Sequence, residues 1–455
     1  MKILLLDVYP KTNYRISKDQ NGAYGTANNY GTGFISKLLQ KFVKNSIDFP
    51  SLFTVQVCGE LKQQGHDVEF SKDLDLNKKF DLYILPSSIV CHETEIEYIK
   101  LLTKYKKKVI AIGPFVSSNP QSYLDAGAKI IKGEPEMFFH NPKNKDIDFE
   151  KLPKVIENFQ TFSLDELCFP GWEIIFKNFI PKMKFLGNGA TININASRGC
   201  PYTCFHYCVY PLQQGRKLRV KSPKRVLEEM NYFNDKLGVS NFIFRDPVFT
   251  LDRNHTIAIC EEIINSNKKF NICIEAHLKN IDDELTRTLK KAGVKLIYVG
   301  IESGDIGVRS DAKRWSEENS AQIEKVNYLE KNGIKVKCMY IIGLPSDTEA
   351  TYKKTIEYAQ TINSSYAQFS VFTPYPGTPV FIEYKDKIFV KNYEDYTQFQ
   401  LIFKHDNFTP KKIIELLNYS YRQYYINPKW FIHFIIRKLI KFYGDLHYRL
   451  FRLHR

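Results

Sequence analysis

The stretch Thr191-Ile192-Asn193-Ile194-Asn195-Ala196-Ser197-Arg198-Gly199-Cys200-Pro201-Tyr202-Thr203-Cys204-Phe205-His206-Tyr207-Cys208 decides both the fold and the chemistry. It begins as an apolar, β-branched run from Thr191 to Ala196, which reads as a strand. The remainder reads as the loop leaving that strand. Its three cysteines fall within nine residues, so their thiolates can converge on one metal centre. Cysteine thiolates are the usual ligands of a four-iron, four-sulfur cube. Three ligands leave one iron open to bind and activate a small molecule. Zinc is the competing reading, but structural zinc wants four ligands, commonly as paired Cys-x-x-Cys units. His206 lies between two of the cysteines, where the loop is too tight for easy tetrahedral closure. A disulfide suits neither an odd cluster nor a chain without a secretory signal.

The run Ser197-Arg198-Gly199-Cys200-Pro201-Tyr202-x-Cys204 after a first barrel strand resembles the cluster loop of radical S-adenosylmethionine (radical SAM) enzymes. The resemblance implies that Cys200, Cys204 and Cys208 hold a 4Fe-4S cluster. Its open iron would bind the amino and carboxylate groups of SAM, and an electron from the cluster would cleave the sulfonium to a 5′-deoxyadenosyl radical. An electron donor such as flavodoxin or ferredoxin is the partner this implies. The family spacing is three residues, then two. Here Phe205, His206 and Tyr207 make it three, then three. The extra residue is expected to shift the loop's backbone while leaving three ligands able to meet one cluster.

Residues 190–380 carry six strand-like runs: Thr191–Ala196, Asn241–Arg245, Asn271–Ala276, Lys295–Ile301, Lys335–Ile342 and Tyr366–Phe372. Helical stretches alternate with them. The first starts with Ser222 as cap and Pro223 at the opening helical position. This pattern predicts a partial (β/α)6 parallel barrel, with active-site groups at the carboxyl ends of the strands. Those ends hold Arg245-Asp246-Pro247, Glu275-Ala276-His277, Gly300-Ile301-Glu302, Gly343-Leu344-Pro345 and Thr373-Pro374-Tyr375. Each resembles the matching radical SAM segment, in order. By that resemblance Glu302 meets the SAM ribose or ammonium, Asp246 orients SAM or substrate, and Gly343 lets the backbone approach adenine. Helix capping by Glu302 and a turn role for Asp246 are the alternatives. Glu275 and His277 are placed to face substrate, Tyr210 or Tyr298 to relay a proton or shield a radical. Arg216, Lys217, Arg219 and Lys221 form a basic strip past the cluster loop, read as an anionic-substrate contact or as solvated surface.

Residues 1–140 alternate strand and helix: strands at Lys2–Val8, Asp67–Phe70, Leu82–Pro86, Val109–Ile112 and Ala128–Ile131, helices at Phe53–Gln64 and Glu93–Tyr105. This is the pattern of a doubly wound parallel sheet, a Rossmann-like α/β domain whose ligands bind beyond the strands' carboxyl ends. The "Gly113-Pro114-Phe115 … Gly133-Glu134-Pro135-Glu136" pattern resembles the cobalamin-binding domain of one large radical SAM subgroup, the class B-like methyltransferases. That resemblance places Tyr9, Ser87, Ser88, Gly113 and Pro114 at a cobalamin site. The Asp-x-His-x-x-Gly segment is missing, since Val8, Tyr9 and Pro10 follow Asp7, so cobalt gains no histidine from that loop. A sheet domain that binds nothing is the alternative. The turn-rich segment Asn21 to Gly33 follows the first strand and reads as a cofactor-wrapping loop or as plain surface.

Residues 141–189 read as a linker, and residues 381–455 as a helical region. The chain has 455 residues, 43% hydrophobic and 25% charged, with a net charge of +15. That composition is globular. The basic balance permits an anionic membrane surface or an anionic substrate; nucleic acid is not the expected partner. The basic, aromatic tail after Pro428 is expected to contact the inner face of a membrane or to pack on the barrel. Cytoplasmic localisation is expected, since no run reaches the ~18 apolar residues of a span.

Taken together, the sequence reads as a cobalamin-dependent radical SAM enzyme, a methyltransferase at an unactivated carbon of a small-molecule, lipid or peptide substrate. Ring contraction or cyclisation is the alternative chemistry. A non-catalytic iron–sulfur binding protein is the alternative outside catalysis. A methylthiotransferase would carry a second three-cysteine set, and the first domain has only Cys58 and Cys91.

Overall fold

The computed structural model describes residues 1–157 and 160–436. Its first sheet has six parallel strands: β1 (Lys2–Leu6), β2 (Asp67–Ser71), β3 (Leu82–Pro86), β4 (Val109–Ile112), β5 (Lys129–Ile131) and β6 (Val155–Ile156). Their spatial order is β2-β1-β3-β4-β5-β6. The order reverses between β2-β1 and β3, which makes a switch point at their carboxyl ends. Every residue of β3 and β4 is buried, as expected of strands covered on both faces. The last strand, β6, lies inside the stretch read as linker. Two residues are too few to show a period.

The second sheet is also six-stranded and parallel: β7 (Thr191–Ile194), β8 (Asn241–Phe244), β9 (Asn271–Ala276), β10 (Val294–Glu302), β11 (Lys335–Ile342) and β12 (Tyr366–Val371). They pair in sequence order, as a curved wall of a partial barrel requires. Between β7 and β8 runs the helix Pro223–Leu237. The Ser222 hydroxyl accepts from Arg225 N–H, Pro223 opens the helix, and Gly238 closes it at φ +66°. These are the start and stop signals read from sequence.

Two helices flank the junction of the halves. The helix α1 (Phe34–Ser46), which directly follows the turn-rich segment, was not anticipated. Its side chains Ile35, Leu39 and Val43 pack on the core, while Phe34, Leu38 and Phe42 face outward. The helix Pro410–Tyr425 packs its Tyr421 and Tyr425 hydroxyls onto the backbone of β12. Residues 428–436 are helical, with Trp430 donating to the Ser365 carbonyl at 3.3 Å. The remainder of the tail on which the membrane expectation rests, from residue 437 onward, lies outside the described residues. Among the described residues no helix is long and apolar enough to cross a membrane.

The turn-rich segment is a strap. Tyr24 is wholly buried, with its ring 5.9 Å from Phe115 beyond β4 and 5.7 Å from Tyr375 beyond β12. Its hydroxyl donates to the Pro376 carbonyl at 2.8 Å. One side chain thus ties the carboxyl ends of both sheets together. Beside Phe115 sits His92, caged by the rings of Phe115, Tyr123 and Tyr393 at 5.2–5.3 Å. Burial lowers its pKa to about 4. The unfolded imidazole binds a proton near pH 6.5, so stability is full above that value and is lost as pH falls towards 4. The loss amounts to about 3 kcal/mol below pH 4. His92→Phe should flatten that part of the acid limb in urea unfolding measured from pH 7 to pH 4, while His92→Gln, which keeps polarity without the charge change, should flatten it too at a lower overall stability.

Candidate functional site

The cysteine loop is built by backbone before any metal is considered. Ser197–Arg198 pairs antiparallel with Arg219–Val220, which folds the loop into a hairpin. Gly199 sits at φ +90°, and a Cβ there would collide with the Lys217 carbonyl. The Cys200 N–H donates to the Gly215 carbonyl at 3.2 Å. The Tyr207 and Cys208 N–H groups both donate to the Cys204 carbonyl, at 3.1 and 3.0 Å. Cys204 and Cys208 therefore stand one helical turn apart, where side chains at i and i+4 share a face. The three-residue spacer is absorbed as a turn of helix.

Burial pushes all three thiols above their ordinary value, and the Arg314 guanidinium opposes this. Arg314 Nη1 lies 3.9 Å from Cys204 Sγ. Among the described residues no group of three or more His, Cys, Asp or Glu side chains is gathered tightly enough for a single metal ion. A cube takes one thiolate at each corner and so needs its sulfurs spread apart; a zinc ion needs them around one point. The donor set fits the cube.

Other strand-end residues take their places around this loop. Glu302, at the end of β10, has φ +66°, a left-handed conformation that costs a non-glycine residue energy and marks functional sites more often than chance. Its carboxylate is 3.4 Å from Arg314 Nε. Burial raises its pKa, with Arg314 and Arg309 opposing. Asp246 departs from the role expected of it. It is wholly buried, accepting from Ala196 N–H at 3.1 Å and the Ser197 hydroxyl at 2.6 Å. Burial lifts its pKa to about 6. It anchors the start of the cysteine loop and positions ligands through it. Gly343 also departs. It has φ +73°, but the space beside it is taken by Ile413, His405 and Phe408 at 3.5–3.9 Å, and its N–H donates to Asp347. His277 is committed to its own loop, capping Lys279 N–H and facing the Trp315 carbonyl at 3.3 Å.

In the barrel lumen Tyr210 donates to Glu275 at 3.2 Å, Glu275 meets Arg245 at 3.3 Å, and Arg245 meets Asp19 of the strap at 2.5 Å. Lys337 donates to Gln368 at 2.6 Å and lies 4.8 Å over the Tyr298 ring. Burial lowers its pKa to about 8. Between the two sheets opens a cleft of about 510 Å3, partly open to solvent, lined by Phe53, Glu136, Asn195, Tyr210, Gln213 and Arg245 among others. Four buried polar atoms of these residues lack a protein partner: Glu136 Oε2, Asn195 Oδ1, Gln213 Nε2 and Arg245 Nε.

Of the residues assigned to cobalamin, Gly113 and Pro114 lie beyond β4, where a Cβ on Gly113 would stand 2.6 Å from the Phe53 ring. Ser87 and Ser88 lie beyond β3 with hydroxyls in use: Ser87 accepts from Val116 N–H at 3.0 Å, and Ser88 donates to the Tyr24 carbonyl at 2.8 Å. Tyr9 donates to Asp7 at 2.7 Å. Tyr24 fills the space over Ser88.

Residues 194–359 match the radical SAM superfamily model. The chain is a radical SAM protein. It is 25% identical over 417 residues to an uncharacterized methyltransferase of Pyrococcus horikoshii, covering 83% of this chain and 87% of the relative. It is 29% identical over 267 residues to the anaerobic magnesium-protoporphyrin IX monomethyl ester cyclase of Cereibacter sphaeroides, of which it spans only 43%. The radical SAM methyltransferase TsrM of Kitasatospora setae, solved with cobalamin and a 4Fe-4S cluster bound, has the same fold, with a TM-score of 0.63, 15% identity, and coverage of 94% of this chain and 90% of that one.

The radical SAM domain is bolted to the first sheet by a charge cluster that the sequence did not single out. Arg198 Nη1 lies 3.1 Å from Glu134 and 2.5 Å from Glu136, and Arg219 also pairs with Glu134. Burial pushes both carboxyls up; at Glu134 the two arginines outweigh it and hold the group below its ordinary value, while Glu136 stays raised. Neither Arg198 nor Arg314 belongs to a periodic pattern. Only the chemistry of two adjacent acids in Gly133-Glu134-Pro135-Glu136 hinted at a cation opposite. Removing one partner of a buried pair costs about 3–5 kcal/mol, whereas an apolar replacement of both is near neutral. Arg198→Met should lower denaturant stability by that amount and reduce iron uptake, and Arg198→Met with Glu136→Met should recover most of the stability.

Proposed function

We propose that this chain is a cobalamin-dependent radical SAM methyltransferase acting at an unactivated carbon. The observation that carries the reading is the three-cysteine loop, with Cys204 and Cys208 on one face of a helical turn at the mouth of a six-strand parallel barrel. A 4Fe-4S cluster held by Cys200, Cys204 and Cys208 supplies one electron for cleavage of the SAM sulfonium. Cobalamin, when bound, supplies a methyl group on cobalt. The chain's own residues bind and orient. Glu302 and Arg314 offer a carboxylate and a guanidinium for the opposite charges of the SAM amino acid moiety. Asp246 fixes the loop that carries the first cysteine. Glu275, Tyr210 and Lys337 hold protons in the lumen, Lys337 near its point of charge change at neutral pH.

The cleft between the sheets suits an amide-fringed macrocycle. Phe53 and Tyr210 supply aromatic surface, and the four unpartnered polar atoms supply hydrogen bonds that the protein leaves unmade. A nucleotide tail at Ser87, Ser88 and Gly113 requires Tyr24 to leave its place over Ser88. Methyl transfer is favoured over rearrangement by the relatives named as methyltransferases, which match over most of the chain.

Anaerobic reconstitution with iron, sulfide and hydroxocobalamin should give a cluster absorbance and a corrin absorbance. Dithionite and SAM should then yield 5′-deoxyadenosine. With substrate, S-adenosylhomocysteine should appear as well; a modified substrate without it would assign a rearrangement. Changing Cys200, Cys204 and Cys208 to Ala should abolish iron binding and both products. Iron content untouched by that change would overturn the proposal.

A further inference from the structure

We propose that the surface over the outer edge of the cysteine loop is the docking site of an acidic one-electron carrier protein, and that electrons enter the cluster there. The inference rests on the radical SAM reading. Each cleavage takes one electron: the C5′–S bond breaks, methionine leaves with the electron pair on sulfur, and the cluster is left one electron short. The chain supplies no other reductant, so a low-potential flavin or iron–sulfur protein must return that electron.

The route is set by which thiol comes nearest solvent. Beside the loop is a pocket of about 330 Å3, lined by Thr203, Cys204, Lys279, Lys313, Arg314 and Trp315 among others. Cys204 lines it; Cys200 and Cys208 do not. The Thr203 hydroxyl donates to the Lys313 carbonyl at 3.1 Å, which holds the lysine's turn against the loop. Lys279 Nζ stands 4.4 Å from the centre of the Trp315 ring, and Trp315 is 53% exposed. On the other flank Arg216 and Lys217 are exposed, and Arg216 donates to the Pro201 carbonyl at 2.8 Å. Five cations thus surround the loop's outer edge. Three nearby acids are engaged: Glu302 with Arg314, Glu317 with Lys325 and Glu383 with His206.

This is the composition of a protein interface rather than of idle surface. An exposed tryptophan is the residue most often found at an interface's energetic centre. A ring of one charge sign steers an oppositely charged partner and raises its association rate by ten- to a thousandfold at low salt. Arg314 links the surface to the cluster, since it reaches Cys204 Sγ and Glu302 at once.

The test uses the full-length, anaerobically reconstituted protein and an acidic flavodoxin in its hydroquinone form, with cluster bleaching followed by stopped flow. Lys279→Glu with Lys313→Glu should slow reduction by flavodoxin at low salt by about tenfold or more. It should also flatten the salt dependence seen in the unchanged protein. Iron content, the reduced-cluster electron paramagnetic resonance signal and the rate of reduction by dithionite should stay the same. Lys279→Gln with Lys313→Gln should give an intermediate rate, which separates charge from misfolding. Equal flavodoxin rates in all three proteins would overturn the docking site and leave the radical SAM reading standing. A protein that takes up no cluster would overturn both.

Discussion

A single guanidinium, that of Arg198, fixes how the two halves of this protein meet. It sits two residues before the first cluster cysteine and reaches across to Glu134 and Glu136, which follow the fifth strand of the other sheet. The pair is desolvated, so its geometry is demanding: a buried charge out of place costs several kcal/mol, and few arrangements satisfy two carboxylates and two arginines together. The reward is orientation. The cysteine loop is held from the sheet side by Arg198, from below by Asp246 through Ala196 and Ser197, and from its far edge by Arg314 at Cys204. A cluster assembled there inherits a position set by charge rather than by loop packing alone.

The barrel supplies the rest by topology. Parallel strands paired in sequence order bring their carboxyl ends to one rim. Glu275 and Glu302 arrive there from successive strands, and Glu302 turns inward only by taking a left-handed backbone conformation. The strap from Ile16 to Tyr30 then crosses that rim. Asp19 engages Arg245 and Tyr24 engages Pro376, so the lumen is closed on one side by residues from the beginning of the chain.

Most of the architecture was legible because strands buried on both faces announce themselves as short apolar runs. Val109–Ile112 and Lys335–Ile342 have the bounds read from their sequence, and the cysteine spacing with its strand-end companions marked the site. What escaped was non-local. Arg245 lies 226 residues from Asp19, and Tyr24 lies 352 from Pro376; no window of sequence contains either pair. Asp246 looked like a free strand-end carboxylate because the backbone donors that consume it belong to the preceding strand's loop. Gly343 signalled a positive φ correctly, but not that the chain's own helix occupies the space beside it. The helix from Phe34 was hidden by the glycine-rich run before it, which drew the reading towards a loop.

The helical turn between Cys204 and Cys208 bears on how such loops diverge. Along an extended segment an inserted residue displaces everything after it by ~3.3 Å, whereas around a helix it advances the chain by only ~1.5 Å and rotates it. An insertion at this point is therefore nearly silent in three dimensions while being conspicuous in an alignment. Gap length is a poor ruler for metal loops of this kind; the pitch of the backbone between ligands is the better one.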